Sequence, residues 1–225
     1  MFTAKFFEFF QSLAKNNNRQ WFNEHKPDYQ QFVVQPMCEF IEAMAPRLKR
    51  ISPHFIADAK PHGGSMFRIY RDVRFSKDKS PYKLHAACQF RHELGKDAHT
   101  VGFYLHLSTE EAVFGGGIWM PPNSELHKIR HTIIDNPNEW NRIKSSSSVK
   151  KLFGGIGGDG LKRPPKGFDP EHEHIEDLKR KSFFLMRHEN PEIILADSFI
   201  DEVEKTFKTA RPLMEYVCYA QDINF

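Results

Sequence analysis

Between residues 65 and 119, apolar and polar side chains alternate along the chain, which is the period of a β-strand and differs from the helical period of the flanking sequence. Within this region we predict four strands, at residues 66–71, 83–92, 100–108 and 113–119. Turn-forming stretches such as Ser80-Pro81 and Gly95-Lys96-Asp97 separate them. Because connections this short join antiparallel neighbours, the region predicts a β-meander over residues 65–119.

Helical periodicity surrounds this meander. We predict N-terminal helices over residues 3–50, in which Pro27 opens a second helix and Pro36 kinks or splits it. After the meander we expect a helical and loop region over residues 121–180, a final buried strand at about 182–186 and a C-terminal helix at about 197–219. No linker divides the chain, so we expect a single domain over residues 1–225. The predicted fold class is α+β, with a largely antiparallel β-sheet and helices packed mainly on one face.

The composition is typical of a chain that folds around a hydrophobic core. Hydrophobic residues make up 40% of the sequence, and phenylalanine alone contributes 21 residues, so we expect a Phe-rich core. The cysteines Cys38, Cys88 and Cys218 lie far apart without Cys-x-x-Cys spacing, which predicts free thiols in a reducing compartment. No stretch reaches the roughly 20 apolar residues that a membrane span needs. We therefore expect a cytoplasmic location and no membrane partner.

The segment FRIYRDVRFSKDKSPYK, residues 67–83, concentrates the candidate functional side chains, and we call it the basic–aromatic run. It contains six basic residues against two acidic ones, Asp72 and Asp78, although the net charge of the whole chain is only +3. Arginine offers a planar fork of donors that matches a phosphate or a carboxylate, and lysine adds a point charge. A partly buried arginine needs an anionic partner, which is either a protein carboxylate or a ligand.

The leading hypothesis is therefore a binding site for an anionic, phosphate-bearing small molecule on the open face of the sheet. The charge would come from the basic residues of the run, which are Arg68, Arg71, Arg74, Lys77, Lys79 and Lys83. Tyr70, Tyr82 and Trp119 would form aromatic walls, and the glycines at 115–117 would let a ligand approach the sheet closely. If the site is catalytic, His25 or His85 would act as a general acid or base.

Two other hypotheses fit the same run. The first is a nucleic-acid-binding module, for which binding would weaken steeply as salt rises. The second is a non-catalytic structural role, in which the basic residues pair with acids of the protein such as Glu24 or Asp72 and organise the sheet. The mild net charge alone does not favour nucleic acid, because nucleic-acid-binding domains usually have a strongly basic face.

The sequence offers no motif that identifies a metal or a cofactor. His85 with His106, and His172 with His174, are pairs without a third ligand, so we predict no metal site. The stretch GGIGGDG at residues 154–160 lacks the ending of a phosphate-binding loop and the strand-to-helix context of a dinucleotide site, which favours a flexible turn. In NRQWFNEHK, residues 18–26, His25 and Lys26 could rim the same anionic site.

These segments resemble a known family, the bacterial and fungal domain of unknown function 2461. The resemblance is carried by NNRQWF and EHK within residues 17–26, the basic–aromatic run, GGGIW at 115–119, Arg130 and the stretch at 161–168. Together these elements span nearly the whole chain, and the run is a long and specific motif. The resemblance implies that the motifs belong to one domain and converge in it, and it supplies no activity, cofactor or catalytic residue.

Overall fold

The computed structural model describes residues 1–225 and contains one four-stranded antiparallel sheet with the strand order β1-β2-β3-β4. The strands are β1 (His85–Arg91), β2 (Gly102–Ser108), β3 (Ala112–Ile118) and β4 (Phe183–Glu189). In the register, Gln89 of β1 lies opposite Tyr104 of β2, which lies opposite Gly115 of β3. Directly opposite residues share a face of the sheet, so this register fixes which side chains can form a common site.

Helices supply the rest of the fold. They are α1 (Ala4–Lys15), α2 (Arg19–Glu24), α3 (Lys26–Tyr29), a π-helical turn (Gln30–Val34), α4 (Gln35–Ile51), α5 (Asn123–Asp135), α6 (Pro137–Ser145), α7 (Ser147–Phe153), α8 (Ile175–Leu178), a 3-10 turn (Pro191–Leu195) and α9 (Phe199–Ala220). The predicted α+β class, with a largely antiparallel sheet and helices mainly on one face, is confirmed.

The long helix α9 covers one face of the sheet. The ring of Phe207 in α9 stacks on Phe103 of β2 at 4.7 Å between centroids, and Phe199 meets Phe114 of β3 edge-on at 5.9 Å. One continuous core joins these residues to the buried faces of α1 and α4, so the predicted Phe-rich core is confirmed. Packing on this face leaves the opposite face of the sheet free to carry a site.

The strand expected at residues 66–71 is wrong. This segment runs beside β1 but pairs with the chain only at two isolated bridges, Met66 with Cys88 and Tyr70 with Tyr82. The two bridges are out of register with each other, and Pro81 has no N–H to donate, so a continuous ladder does not form. The other three strands of the meander and the final strand are present, with ends shifted by at most three residues.

Two features of the helices differ from the sequence prediction. Pro36 lies in the first turn of α4, and the irregularity that it was expected to cause lies just before it, in the π-helical turn where the Gln35 N–H donates to the carbonyl of Gln30. Within the helical and loop region expected over residues 121–180, the serine-rich stretch at 145–148 does not form a loop. The helix α7 begins there, because the Ser146 hydroxyl accepts a hydrogen bond from the Val149 N–H and caps the helix. None of the helices is long and apolar enough to cross a membrane.

Candidate functional site

A cavity of about 410 Å³ lies on the open face of the sheet, opposite α9. Its floor is formed by the residues of all four strands that point away from the helix, and its volume far exceeds the roughly 30 Å³ that one water occupies in the liquid. The floor residues are Ala87, Gln89, Gly102, Tyr104, Val113, Gly117, Phe184 and Met186. The cavity is therefore large enough for a small organic molecule.

Two segments outside the sheet form the walls. Phe67 of the basic–aromatic run stands on one side together with Lys83 and His85, at the entrance to β1. Trp119 and Ala98 stand on the other side, beyond the end of β3. The backbone N–H of Phe67 donates to the carbonyl of Ala87 at 2.9 Å, which holds the run against the edge of the sheet. Without this contact β1 would be an open edge strand, and the cavity would lose the wall that Phe67 forms.

Lys83 places a positive charge at the cavity without a carboxylate partner. Its ammonium donates to the carbonyl of Arg68 at 3.0 Å and lies 5.7 Å from the centre of the Phe67 ring. Burial lowers the pKa of Lys83, and the nearby Arg68 guanidinium lowers it further. Arg68 is exposed and forms no ion pair in the structure. Neither cation forms an ion pair, although the Arg68 guanidinium is close enough to Asp72 to lower the pKa of that carboxyl group.

His85 and His106 form a pair of imidazoles on the same face of the sheet. Their ring centres are 4.2 Å apart, and only the ring of His85 reaches the cavity wall. Burial lowers the pKa of His85 to about 4, with smaller contributions from His106 and Lys83. Burial is also the main cause that lowers the pKa of His106. Both rings are therefore neutral near pH 7, and His85 forms no hydrogen bond with the protein, so its nitrogens are available to a ligand.

Two further polar groups lie on the cavity floor. Gln89 is only 8% exposed, its Nε2 donates to the carbonyls of Ala98 and Thr100 at 3.3 Å each, and its Oε1 is buried without a partner. The hydroxyl of Tyr104 lies 3.5 Å from Nδ1 of His106, and burial raises the pKa of Tyr104 to about 12. Tyr104 is therefore a neutral phenol and Gln89 an unsatisfied acceptor.

The outer part of the basic–aromatic run does not reach the cavity. Arg74 forms hydrogen bonds through Nε and Nη2 to Asp72, at 3.0 and 2.7 Å, and this contact lowers the pKa of Asp72 to about 2. Arg71 donates to Asp78 and to the carbonyl of Ser80. Both arginines thus have acidic partners within the run itself, and Glu24, the other acid suggested from the sequence, bonds to Gln20 instead.

The two outer lysines also lie away from the cavity. The ammonium of Lys79 donates to the carbonyl of Val73 at 3.0 Å, which closes the loop, whereas Lys77 is exposed and forms no ion pair. Phe75, at the tip of this loop, is 95% exposed. Of the six basic residues chosen from the sequence, the structure brings Lys83 to the cavity and Arg68 next to it.

The three aromatic residues predicted as walls have different positions. Trp119 is a wall of the cavity, is 56% exposed, and stacks on the ring of His99 at 5.2 Å. Tyr82 is buried and stacks on Phe22 of α2 at 4.0 Å, so it belongs to the core. Tyr70 is half exposed beside Tyr82 and does not line the cavity.

The N-terminal motif at residues 17–26 contacts the basic–aromatic run at Tyr82, away from the cavity. The Asn17 side chain bonds both the N–H and the carbonyl of Tyr82, at 3.1 and 3.0 Å. His25 is stacked on Trp21 at 4.0 Å, and its Nδ1 lies 2.9 Å from the Trp21 carbonyl oxygen, in a surface groove beside α1. The motif and the run therefore do meet, but neither His25 nor Lys26 lines the cavity.

Two further motif elements, Arg130 and Gly115, have structural roles and do not line the cavity. Arg130 is buried and donates to the carbonyls of Leu178 and Arg180, at 2.6 and 3.1 Å, so it holds the end of α8. A side chain at Gly115 would collide with the Leu185 carbonyl oxygen, at 1.8 Å from the added carbon atom. The glycine is required because β3 and β4 approach each other closely there.

The structure contains no group of three or more His, Cys, Asp and Glu side chains that could hold a metal ion. The site residues that were not selected from the sequence include Phe67, Gln89, Tyr104, Phe184 and Met186. Strand alternation is the signal that could have found Gln89 and Tyr104, because Gln89 has the same parity along β1 as His85 and lies opposite Tyr104. Phe184 and Met186 had no comparable signal, because their place beside the cavity depends on β4 pairing with β3.

The fold and the cavity define an α+β protein whose antiparallel sheet has one face packed on helices and a ligand-sized cavity on the other. Residues 5–216 match the family described as conserved hypothetical protein (DUF2461). The chain belongs to this family, and the match covers all the motifs described above. No curated protein and no solved structure matches the chain.

Proposed function

We propose that the protein binds a small organic anion with an apolar body in the cavity on the open face of the sheet. The observation that carries this proposal is the half-buried ammonium of Lys83, which has no carboxylate partner and lies near enough to the Arg68 guanidinium for that charge to lower its pKa. A buried charge is stable only when it is paired or well solvated, and two adjacent cations repel each other. A bound anion would supply the missing charge.

The shape and lining of the cavity support a small molecule with an apolar body. Its volume of about 410 Å³ lies within the range typical of ligand pockets, roughly 300–1,000 Å³. The rings of Phe67, Tyr104, Trp119 and Phe184 line it together with Met186. Aromatic rings offer large apolar contact areas and stack on planar ligands. The ligand therefore combines an anionic head at Lys83 with an aromatic or aliphatic body over the sheet.

The head group is a phosphate or a carboxylate. An ammonium has three donors, and Lys83 uses one of them on the Arg68 carbonyl, which leaves two for a ligand. The guanidinium of Arg68 adds a fork that suits either group. Catalysis at this site would use His85, because it is the titratable ring at the cavity wall that has no partner in the protein.

A nucleic-acid-binding function is the alternative for the same run. It has less support, because Arg71 and Arg74 are occupied by Asp78 and Asp72, and the unpaired cations stand at a cavity that a duplex cannot enter. A nucleic acid would contact the exposed loop around Lys77 and Lys79 and would bind more weakly as salt rises.

A thermal-shift screen tests the proposal. The ligands are inorganic phosphate, phenyl phosphate, 3-phenylpropionate, the neutral 3-phenylpropanol and a short single-stranded oligonucleotide. A ligand at about 100 times its Kd stabilises a protein by roughly 2.7 kcal/mol. For a chain of this length that corresponds to a rise in Tm of roughly 5–10 °C. We expect the aromatic anions to raise Tm and the neutral alcohol to have no effect.

The variants Lys83→Met and Lys77→Met distinguish anion binding in the cavity from anion binding to the positive charge of the run as a whole. Methionine keeps an apolar stem and removes the ammonium, together with its hydrogen bond to the Arg68 carbonyl. We expect the response to aromatic anions to disappear in Lys83→Met and to persist in Lys77→Met, which changes an exposed lysine away from the cavity. A response to the oligonucleotide alone, weakened by Lys77→Met, would support nucleic-acid binding. No response to any anion would overturn the proposal.

We also propose that the protein functions in the cytoplasm. All three cysteines are free, and Cys88 and Cys218 are buried in the core, where burial raises the pKa of both thiols. Buried thiols of this kind are typical of reducing compartments. Imaging of a fluorescently tagged chain in its own cell tests this location, and secretion of the chain would contradict it.

A further inference from the structure

We propose that the anionic head of the ligand binds between Lys83 and His85, and that His85 takes up a proton from the solvent when the head binds; the inference rests on the anion site proposed above. Only Leu84 separates the two residues, and alternate residues of an extended chain point to the same side. Leu84 is exposed, whereas Lys83 and His85 both line the cavity. One head group can therefore contact both side chains.

Both ring nitrogens of His85 remain accessible. The side chain is partly exposed at the cavity wall, and neither nitrogen forms a hydrogen bond with the protein. The side-chain polar atoms that lack a partner and are closed off from solvent are Gln89 Oε1 and His174 Nε2, so the nitrogens of His85 are not among them. A neutral imidazole has one N–H and one free lone pair, and the lone pair is where the proton binds.

In the empty cavity the surroundings of His85 oppose its protonation. Burial is the main cause, and the His106 imidazole and the Lys83 ammonium add to it, so the pKa of His85 is lowered to about 4. No carboxylate acts against these three causes. The titratable and charged groups around the two imidazoles are Lys83 and Arg68 beside it, Tyr104 of β2, Glu111 after β2 and His188 of β4.

A bound anion reverses this balance. Its negative charge offsets the repulsion between Lys83 and a protonated His85, and it compensates both groups for their burial. It also accepts a hydrogen bond from each cation, and hydrogen bonds between charged partners are roughly twice as strong as neutral ones. The second positive charge thus appears only when an anion is present, so His85 makes the site selective for anions over neutral molecules of the same shape.

The size and the sign of the effect follow from the pKa of His85. A group whose pKa rises on binding takes up a proton between its two pKa values, so the ligand binds more tightly as the pH falls through that range. If the anion restores the ordinary pKa of 6.5 from about 4, binding takes up about 0.9 proton at pH 5.5 and about 0.1 at pH 7.5. The Kd is then about ten-fold lower at pH 5.5 than at pH 7.5.

Isothermal titration calorimetry of the wild-type protein measures this proton uptake. Titrations at pH 5.5 and pH 7.5, each in two buffers of different ionisation enthalpy, give the number of protons and the Kd together. The probes are phenylmethanesulfonate and 3-phenylpropane-1-sulfonate, because a sulfonate keeps its single charge at both pH values and any proton taken up is the protein's. We expect uptake close to one proton at pH 5.5 and the tighter binding there.

His85→Asn and the control His188→Asn assign the proton. His188 is exposed, bonds to Glu111 and does not line the cavity. We expect His85→Asn to bind the sulfonates without proton uptake and with the same Kd at both pH values, and His188→Asn to behave as the wild type does.

Two results would overturn the inference and leave the anion site standing. They are sulfonate binding that is abolished by Lys83→Met but takes up no proton in the wild type, and uptake that persists in His85→Asn. Failure of both sulfonates to bind at either pH would also overturn the inference. If the aromatic anions of the thermal-shift screen have no effect either, the anion site fails with it.

Discussion

The side-chain amide of Asn17 forms two hydrogen bonds with the backbone of Tyr82, 65 residues later in the chain. The amide donates to the Tyr82 carbonyl and accepts from the Tyr82 N–H, as the backbone of an adjacent strand would. It therefore connects the N-terminal helices to the residue immediately before Lys83. The stacking of Phe22 on Tyr82 reinforces the contact. The N-terminal motif therefore acts on the cavity by fixing the chain that delivers Lys83.

Replacing Asn17 with alanine should destabilise the protein. The change leaves the N–H and the carbonyl of the buried Tyr82 unpaired, which costs about 1–3 kcal/mol. Urea denaturation measures the change in the free energy of unfolding. Asn23→Ala is the control, because Asn23 is exposed on α2 and forms no side-chain hydrogen bond, so it should be neutral or slightly stabilising. Equal effects of the two changes would contradict the role of Asn17.

Replacing Gly115 with alanine should be severely destabilising. The added methyl group would lie 1.8 Å from the Leu185 carbonyl oxygen, and a backbone atom of a central strand pair cannot move aside cheaply. We expect a loss of about 3 kcal/mol or more, at or beyond the upper end for overpacking. Gly160→Ala serves as the control, since its new carbon atom would meet nothing closer than 3.7 Å. A Gly115→Ala protein with unchanged Tm would contradict the close approach of β3 and β4 at this position.

Glu204 should make the protein less stable in acid. Burial alone would raise the pKa of Glu204, but hydrogen bonds from Lys208, Arg47 and Arg50 outweigh it and lower the pKa to about 2. A carboxyl group whose folded pKa is depressed stabilises the protein above its unfolded pKa, and this contribution is lost as the pH falls from about 4.5 toward about 2. Lys208 and Arg50 are exposed, so solvent screens their interaction with Glu204. The contribution of Glu204 to the free energy of unfolding is therefore about 2 kcal/mol, which is less than the full shift of its pKa would give.

The variant Glu204→Gln tests this contribution. We expect it to be less stable than the wild type at pH 7 and to lose less stability between pH 4.5 and 2, measured by urea denaturation at each pH. Glu42→Gln, which changes an exposed residue of α4, should leave the profile unchanged. A wild-type profile that stays flat in this window would contradict the low pKa of Glu204.

His85 should destabilise the protein in a different pH window. Because burial lowers its pKa from 6.5 to about 4, the unfolded chain takes up a proton that the folded protein does not. Stability should therefore fall as the pH drops from about 6.5 to about 4, by about 1–2 kcal/mol after allowing for the partial exposure of the ring. His85→Asn should reduce this loss, and histidine NMR titration would show directly whether the pKa of His85 is low. A His85 pKa near 6.5 would contradict the prediction.

The sequence predicted the meander, and from it a site on the open face of the sheet, because strand alternation is a local signal. It did not predict that the segment at 66–71 falls short of a strand, since that depends on the register against β1 and on Pro81 at the edge. The sequence placed Arg68 and Lys83 in the candidate site, but it did not show that they differ from Arg71 and Arg74 in having no acidic partner within hydrogen-bonding distance. That distinction depends on which cations meet Asp72 and Asp78 in the folded loop.

The cavity itself was beyond sequence reasoning, because it forms only when β4 returns to pair with β3 after a long intervening region. Phe184 and Met186 come to lie opposite Gly117 and Gly115, because only glycine leaves space for the close approach of β4 at these two positions. Neither glycine nor either apolar residue indicates a cavity when it is considered alone. The long-range pairing of the two strands creates the site.

The most direct measurement of the anion site is a crystal structure of the protein with phenyl phosphate. We expect a phosphate oxygen within hydrogen-bonding distance of Lys83 Nζ, at about 2.7–3.2 Å, with the phenyl ring in the cavity against Phe67 and Phe184. Phenyl phosphate bound instead at the exposed loop around Arg74 and Lys77, with the cavity holding only water, would contradict the anion site at Lys83.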